Sequence, residues 1–159
     1  MTVSSYGDIT QNADLGIVTY PFGTVTFNLD LDNSGATNYT YTSGTIYATT
    51  NVNIVPQSIT ALTVSGMSIA NNASLNIGST KPFSVVVSGN LTLGGAGGVY
   101  IYSNGDITIN ANKTITSGGS LTLQADFDAD KYGDITWGSG SGATIGDSGA
   151  LIYLSLIHI

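Results

Sequence analysis

The run GDITINANKTITSGGSLTLQADFDADKYGDITW, residues 105–137, alternates aliphatic with small polar residues and interrupts the alternation with Gly, Asn and Ser. Alternate residues of an extended chain face one side. Ile107, Ile109, Ile115, Leu121 and Leu123 are therefore expected to point inward, and Thr108 and Thr122 outward. GDIT stands at both ends of the run, 28 residues apart. Further out, GNLTL at 89 and GSLTL at 119 share its order of Gly, small polar, aliphatic, Thr, bulky, and SGALIYL at 148 is a looser copy. YGDIT also occupies residues 6–10, and short alternating runs begin at Val99, Lys113 and Gly142. Gly and Asn between such runs tolerate φ > 0 and let the chain turn corners. Short strands, corners and a recurring unit suggest a solenoid with coils about 4.8 Å apart. The expected fold is all-β, a parallel β-helix in which residues 105–125 make about one coil. An antiparallel β-sandwich also uses short strands and turns, and is the alternative.

One coil cannot fold alone. Each buried aliphatic contributes roughly 1.5–3 kcal/mol, while ordering the backbone costs about 1–2 kcal/mol per residue. Stacking improves the balance, because neighbouring coils share inward residues and ladder hydrogen bonds.

Composition agrees with an all-β reading. The 159 residues are 42% hydrophobic and only 8% charged, against roughly 25% charged in an average soluble domain. All ten acids are Asp, and Glu, Arg and Cys are absent. Helix formers are scarce, whereas Thr, Val, Ile and Tyr suit strands and Gly, Asn, Asp and Ser suit turns. Three Lys and a net charge of −7 leave nothing to neutralise phosphates, so no nucleic-acid partner is expected. No Cys means no disulfide framework and no thiolate metal site. Met1 is followed by TVSSYGD, with neither a basic nor an apolar leader region. Either the protein stays inside the cell or the natural start lies elsewhere. No run reaches the roughly 20 apolar residues of a membrane helix, and runs this short do not suit a membrane barrel.

The first half repeats less well. Residues 24–31 read as a strand, DNSG as a turn, and Tyr39 and Tyr41 share a face of the next strand. Pro56 fits a corner or an edge. The expected division is 1–56, irregular β structure or outer coils; 57–153, solenoid; and 154–159, a non-native tail. The tail, LSLIHI, resembles the translation of a transposon-end sequencing adapter. That resemblance places the end of the protein-derived sequence near Tyr153 or Leu154 and removes His158, the sole histidine.

Little catalytic chemistry then remains. No Ser or Thr has a His partner for a triad. DFDADKYGD, residues 126–134, places Asp126, Asp128 and Asp130 alternately, with Asp134 after Gly133. Calcium prefers several carboxylate and carbonyl oxygens on a tight loop, so these four residues are the candidate metal site and calcium the one candidate cofactor. The loop departs from the EF-hand pattern, with Lys131 where Gly is needed and Trp137 where the bidentate Glu would be. A solvated loop between strands is the plainer reading. DLDNSG, residues 30–35, offers Asp30, Asp32 and Ser34, but the alternation around Asp30 favours a strand running into a turn. Asp126 and Asp130 could form a glycosidase pair; without the His, Arg or Lys motifs of pectin-degrading β-helices, no enzyme activity is expected. Tyr100 and Tyr102, opposite Val99 and Ile101, offer an aromatic strip for sugar stacking, with ordinary packing as the alternative. Thr-x-Thr pairs at 24/26, 40/42 and 114/116 lack the sequence spacing that would stack them into a flat array.

From residue 85 to 153, G-[ND]-[IL]-T-[LI] strands joined by Asn, Ala, Gly and Ser resemble the repetitive exoproteins of the filamentous haemagglutinin type and autotransporter adhesin passengers. The resemblance implies a right-handed parallel β-helix, export through an outer-membrane partner or domain, and a place at the bacterial surface or in the secreted fraction. The N-P-N-type motifs of the two-partner secretion domain are absent, so an internal segment is implied. The implied function is structural and adhesive: a rod displaying loops to a host-cell or glycan receptor or to other bacteria. A fragment of a carbohydrate-active β-helix enzyme or phage tailspike, and a calcium-stabilised secreted repeat, are the alternatives.

Overall fold

The computed structural model describes residues 1–32, 34–57, 61–78, 84–126 and 133–146, and the backbone of 152–156. Alternating sequence becomes strand throughout. The first coil holds β1 (Thr2–Ser4) and β2 (Ile9–Gln11), and the second β3 (Phe22–Leu29), β4 (Thr37–Tyr41) and the start of β5 (Ile46–Pro56). The rest of β5 leads to β6 (Ala61–Val64) and β7 (Met67–Ala70), then to β8 (Ser74–Ile77), β9 (Ser84–Val87) and β10 (Leu91–Leu93). Next come β11 (Val99–Tyr102), β12 (Asp106–Ile109) and β13 (Thr114–Ser117), then β14 (Leu121–Ala125), β15 (Ile135–Trp137) and β16 (Gly142–Ile145), and finally β17 (Ile152–Leu156).

Successive strands lie on different walls of a three-sided coil. Wall A stacks β1, β3, β5, β8, β11, β14 and β17; wall B stacks β2, β4, β6, β9, β12 and β15. Wall C begins with Ile46 and Tyr47 of β5 and continues through β7, β10, β13 and β16. The pairings within each wall are parallel, as in Leu75↔Val99↔Leu121 on wall A and Val85↔Ile107↔Ile135 on wall B. The fold is therefore an all-β solenoid. A sandwich would pair consecutive strands antiparallel, and these consecutive strands do not pair at all. Residues 1–56 run through the same walls, and Pro56 ends β5 at a corner, aligned with Leu29.

The inward rows form one continuous core. Ile107, Ile109, Ile115, Leu121 and Leu123 are all fully buried, and each contributes roughly 1.5–3 kcal/mol by leaving water. Towards the N-terminal coils the rows widen to aromatics, with the Phe27 and Tyr39 rings 5.0 Å apart and tilted by 60°. The buried Tyr39 hydroxyl donates to Gln11 Oε1, and Gln11 Nε2 donates to the Ala13 carbonyl at 3.1 Å. Burial, with a smaller contribution from Tyr41, pushes the Tyr39 pKa well above the usual phenol value.

The four copies of the short motif fall on three walls: GNLTL on C, GDITI on B, GSLTL on A and GDITW on B. The motif thus marks where a strand begins, and a coil contains three such starts. Of its recurrences only the 28-residue one coincides with stacking, Ile107 lying over Ile135. Its glycines also have a different role from the expected one. Gly89, Gly119 and Gly133 lie outside the left-handed region. A Cβ on Gly89 would sit 1.8 Å from the Ser65 carbonyl oxygen of the coil before it, and one on Gly133 2.7 Å from that of Gly105. Close approach between coils, rather than turn geometry, excludes a side chain there. Left-handed corners fall instead to residues such as Asn71 (φ 65°) and Asn112 (φ 58°).

The Asn or Asp of the motif joins coils. Asn90 Oδ1 accepts from the Thr114 N–H at 3.0 Å, and Asp106 Oδ1 from the Asp134 N–H at 2.9 Å. Asp8, Asp14 and Asn72 do the same for Asn38, Thr45 and Ala96. In each case a side-chain oxygen satisfies a backbone N–H of the next coil, at or near a strand start except for Ala96, which lies between β10 and β11. Such a bond is worth roughly 0.5–1.5 kcal/mol net.

Candidate functional site

Two features of the outer surface could carry function: one corner of the coil and the outer face of wall A. At the corner from wall A to wall B the connections differ in length from coil to coil. Residues 103–105 suffice between β11 and β12, whereas 126–134 join β14 to β15 and 30–36 join β3 to β4. The length difference explains the uneven sequence spacing of stacked residues. The longest of these connections is the acidic run singled out in the sequence.

Its ends are anchored in the wall. Asp126 follows Ala125 in the left-handed conformation (φ 55°), is fully buried, and donates its N–H to the Gly105 carbonyl at 3.4 Å. At the other end a Cβ on Gly133 would lie 2.7 Å from the Asp126 nitrogen. The connection therefore leaves and rejoins the wall at one point. Asp134 is exposed, and its N–H is held by Asp106. Of the proposed calcium ligands, Asp126 and Asp134 thus differ in exposure, and Asp128 and Asp130 lie outside the described residues. Among the described residues no three acidic or histidine side chains are grouped as a metal ion would require.

The corresponding corner four coils earlier shows how such a turn is held. β3 runs to Leu29 and turns at Asp30, again buried and left-handed with φ 55°. The Asp30 carboxylate accepts from the Ser34 N–H and hydroxyl, both at 2.8 Å, and from the Gly35 N–H at 3.3 Å. Burial pushes the Asp30 pKa up, but these hydrogen bonds outweigh it and hold the carboxyl below its ordinary range. The Asp30 carboxylate is occupied in closing the turn, in line with the strand-into-turn reading of DLDNSG.

The outer face of wall A carries Tyr100 and Tyr102, both half-buried. Tyr100 stands in register between Asn76 and Thr122, and Tyr102 beside Gln124. Burial, and secondarily the nearby Tyr100, raises the Tyr102 pKa. A ladder of amides precedes them: Asn76 Nδ2 donates to Asn53 Oδ1 at 2.9 Å, and Asn53 Nδ2 to Thr26 Oγ1 at 3.2 Å. Sequence reasoning missed this ladder, because Asn53 and Asn76 become neighbours only through the register of β5 and β8.

The Thr-x-Thr pairs fall on three walls and do not stack on one another, as their spacing suggests, but single threonines do stack. Ser68, Thr92, Thr116 and Thr144 are consecutive partners on wall C, and Thr108 and Thr136 are partners on wall B. Register, not sequence interval, sets which residues stack, and the corner loops absorb the difference.

Comparison with protein-family models, with curated proteins and with solved structures found no match to this chain. Among the described residues no helix is long and apolar enough to cross a membrane.

Proposed function

We propose that this chain is a non-enzymatic, structural and adhesive segment of a large secreted or surface-anchored bacterial exoprotein. Its solenoid serves as a stiff rod, exported with the help of an outer-membrane partner, that presents loops to a host-cell, glycan or bacterial receptor. The supporting observation is the gathering of unequal connections, 30–36, 103–105 and 126–134, at one corner above an uninterrupted core. Such an arrangement lets loops vary without disturbing the inward rows, which suits display.

The test is to replace 127–132 with a short Ser-Asn-Gly connection, matching residues 103–105. The expected outcome is an intact β spectrum with reduced attachment to cells or immobilised glycans. Undiminished attachment by the trimmed chain, and by one with 30–36 shortened, would count against loop display. The enzyme alternative predicts polysaccharide cleavage that Asp126→Asn or Asp130→Asn abolishes; inertness toward a polysaccharide panel is expected. For the calcium-stabilised alternative, calorimetry with and without calcium is decisive, and an unchanged Tm removes it.

A further inference from the structure

The outer face of wall A combines three properties that the loop-display reading does not use. The first is the lie of the Tyr100 ring. Gly98 and Tyr100 are two residues apart, hence on the same face, and two strand residues span about 6.6 Å. A Cβ on Gly98 would lie 2.8 Å from the Tyr100 hydroxyl oxygen and 3.0 Å from its Cε2. The ring therefore reaches back along the strand over Gly98 instead of standing away from the sheet. The hydroxyl end of the ring thus lies beside Gly98, and Tyr100 as a whole is half-buried.

The second property is the absence of charge. No Asp or Lys occurs in β1, β3, β5, β8, β11 or β14. The third is order among the polar neighbours. The Asn76–Asn53–Thr26 ladder fixes the amides beside Tyr100, so a ligand would meet groups already in place. Shielding of Gly98 accounts for the ring position alone. It does not account for the uncharged amide and hydroxyl residues that flank Tyr100 in register, Asn76 and Thr122.

We propose that this face binds an uncharged polysaccharide, a sugar ring stacking on Tyr100 and its hydroxyls bonding to Asn76, Thr122 and Gln124, with Tyr102 extending the platform. A pyranose has an apolar C–H face and a rim of hydroxyls, which match an aromatic face bordered by amides. A nucleic acid would need cations here, and none are present in these strands. The surface is the outer face of a sheet, so a single sugar would remain largely solvated. A chain crossing several coils gains from repeated contacts. The proposal rests on the adhesive reading and names its ligand class.

The test is affinity electrophoresis of the whole chain through gels containing dextran, laminarin, galactomannan or xyloglucan. Retardation in at least one is expected, and it should persist at about 0.5 M salt, where screening is strong. Tyr100→Leu should weaken binding roughly tenfold, and Tyr102→Leu should weaken it as well. Tyr100→Phe should stay close to wild type, and so should Thr136→Ala on wall B. Circular dichroism checks that each variant is folded. Retardation by none of the gels, retardation abolished by salt, or unchanged retardation of both folded leucine variants would overturn the proposal. Cell attachment unaffected by Tyr100→Leu would leave the adhesive reading standing while this site fails. A wild-type chain that binds neither cells nor gels removes both.

Discussion

Gly89→Ala separates the two roles a motif glycine could play. Gly89 does not need a left-handed backbone, so any penalty must come from space. The new methyl would lie 1.8 Å from the Ser65 carbonyl oxygen, about 1.5 Å inside ordinary contact. Relief requires the coils to part at a point pinned by two backbone bonds. Ser88 N–H donates to the Val64 carbonyl and Met67 N–H to that of Asn90, each at 2.9 Å. Overpacking costs about 1–3 kcal/mol, and weakening one of these bonds adds roughly 1 kcal/mol. A loss of about 2–4 kcal/mol is expected, which at this chain length lowers Tm by roughly 4–16 °C. Gly142→Ala is the control, because its methyl would meet nothing within 4 Å and Gly142 also avoids positive φ. Its effect should stay within about 0.5 kcal/mol of zero, or be slightly stabilising through the unfolded state. Urea and thermal unfolding measure both. A Gly89→Ala chain as stable as wild type, or a Gly142→Ala chain equally damaged, would refute the close-approach explanation.

Ile107→Ala, at a fully buried position, should cost about 2–5 kcal/mol in urea unfolding. Asn90→Ala removes the acceptor for the Thr114 N–H and should cost about 1 kcal/mol, with Asn90→Asp recovering most of it. Asp30 contributes stability above its unfolded pKa, near 3.9, because its folded carboxyl is held lower; that contribution is lost as pH falls through the folded value. Between about pH 5 and pH 2 the urea midpoint should therefore fall less steeply in Asp30→Asn than in wild type.

The inward rows were legible because alternation survives wherever the chain stays extended, as at Ile107 and Ile109. It fails where one residue turns left-handed. Asp30 and Asp126 each follow a buried residue and are themselves buried, so a period of two places their carboxylates on the wrong side. The assignment of strands to walls was not legible either. Val85 lies over Ile107 and Ile107 over Ile135, intervals that differ by the length of a corner connection and not by anything in the strands. The threonine rank of wall C and the amide ladder of wall A were hidden for the same reason. The Gly98–Tyr100 contact left a trace, a glycine just before a strand and two residues ahead of an aromatic within it, but that pattern is common to many strands that bury no such contact.

The register of the coils is the central claim, and engineered cysteines test it directly in a chain that has none. Thr108 and Thr136 are aligned on adjacent strands of wall B, so their Cα atoms lie about 4.8 Å apart, within the span a disulfide bridges. Thr122 and Thr136 occupy equivalent motif positions but lie on walls A and B. Under mild oxidation the Thr108→Cys/Thr136→Cys chain should form an intramolecular disulfide readily, seen as a mobility shift reversed by reductant, and the Thr122→Cys/Thr136→Cys chain should not. Linkage of the second pair with failure of the first would contradict the three-walled coil.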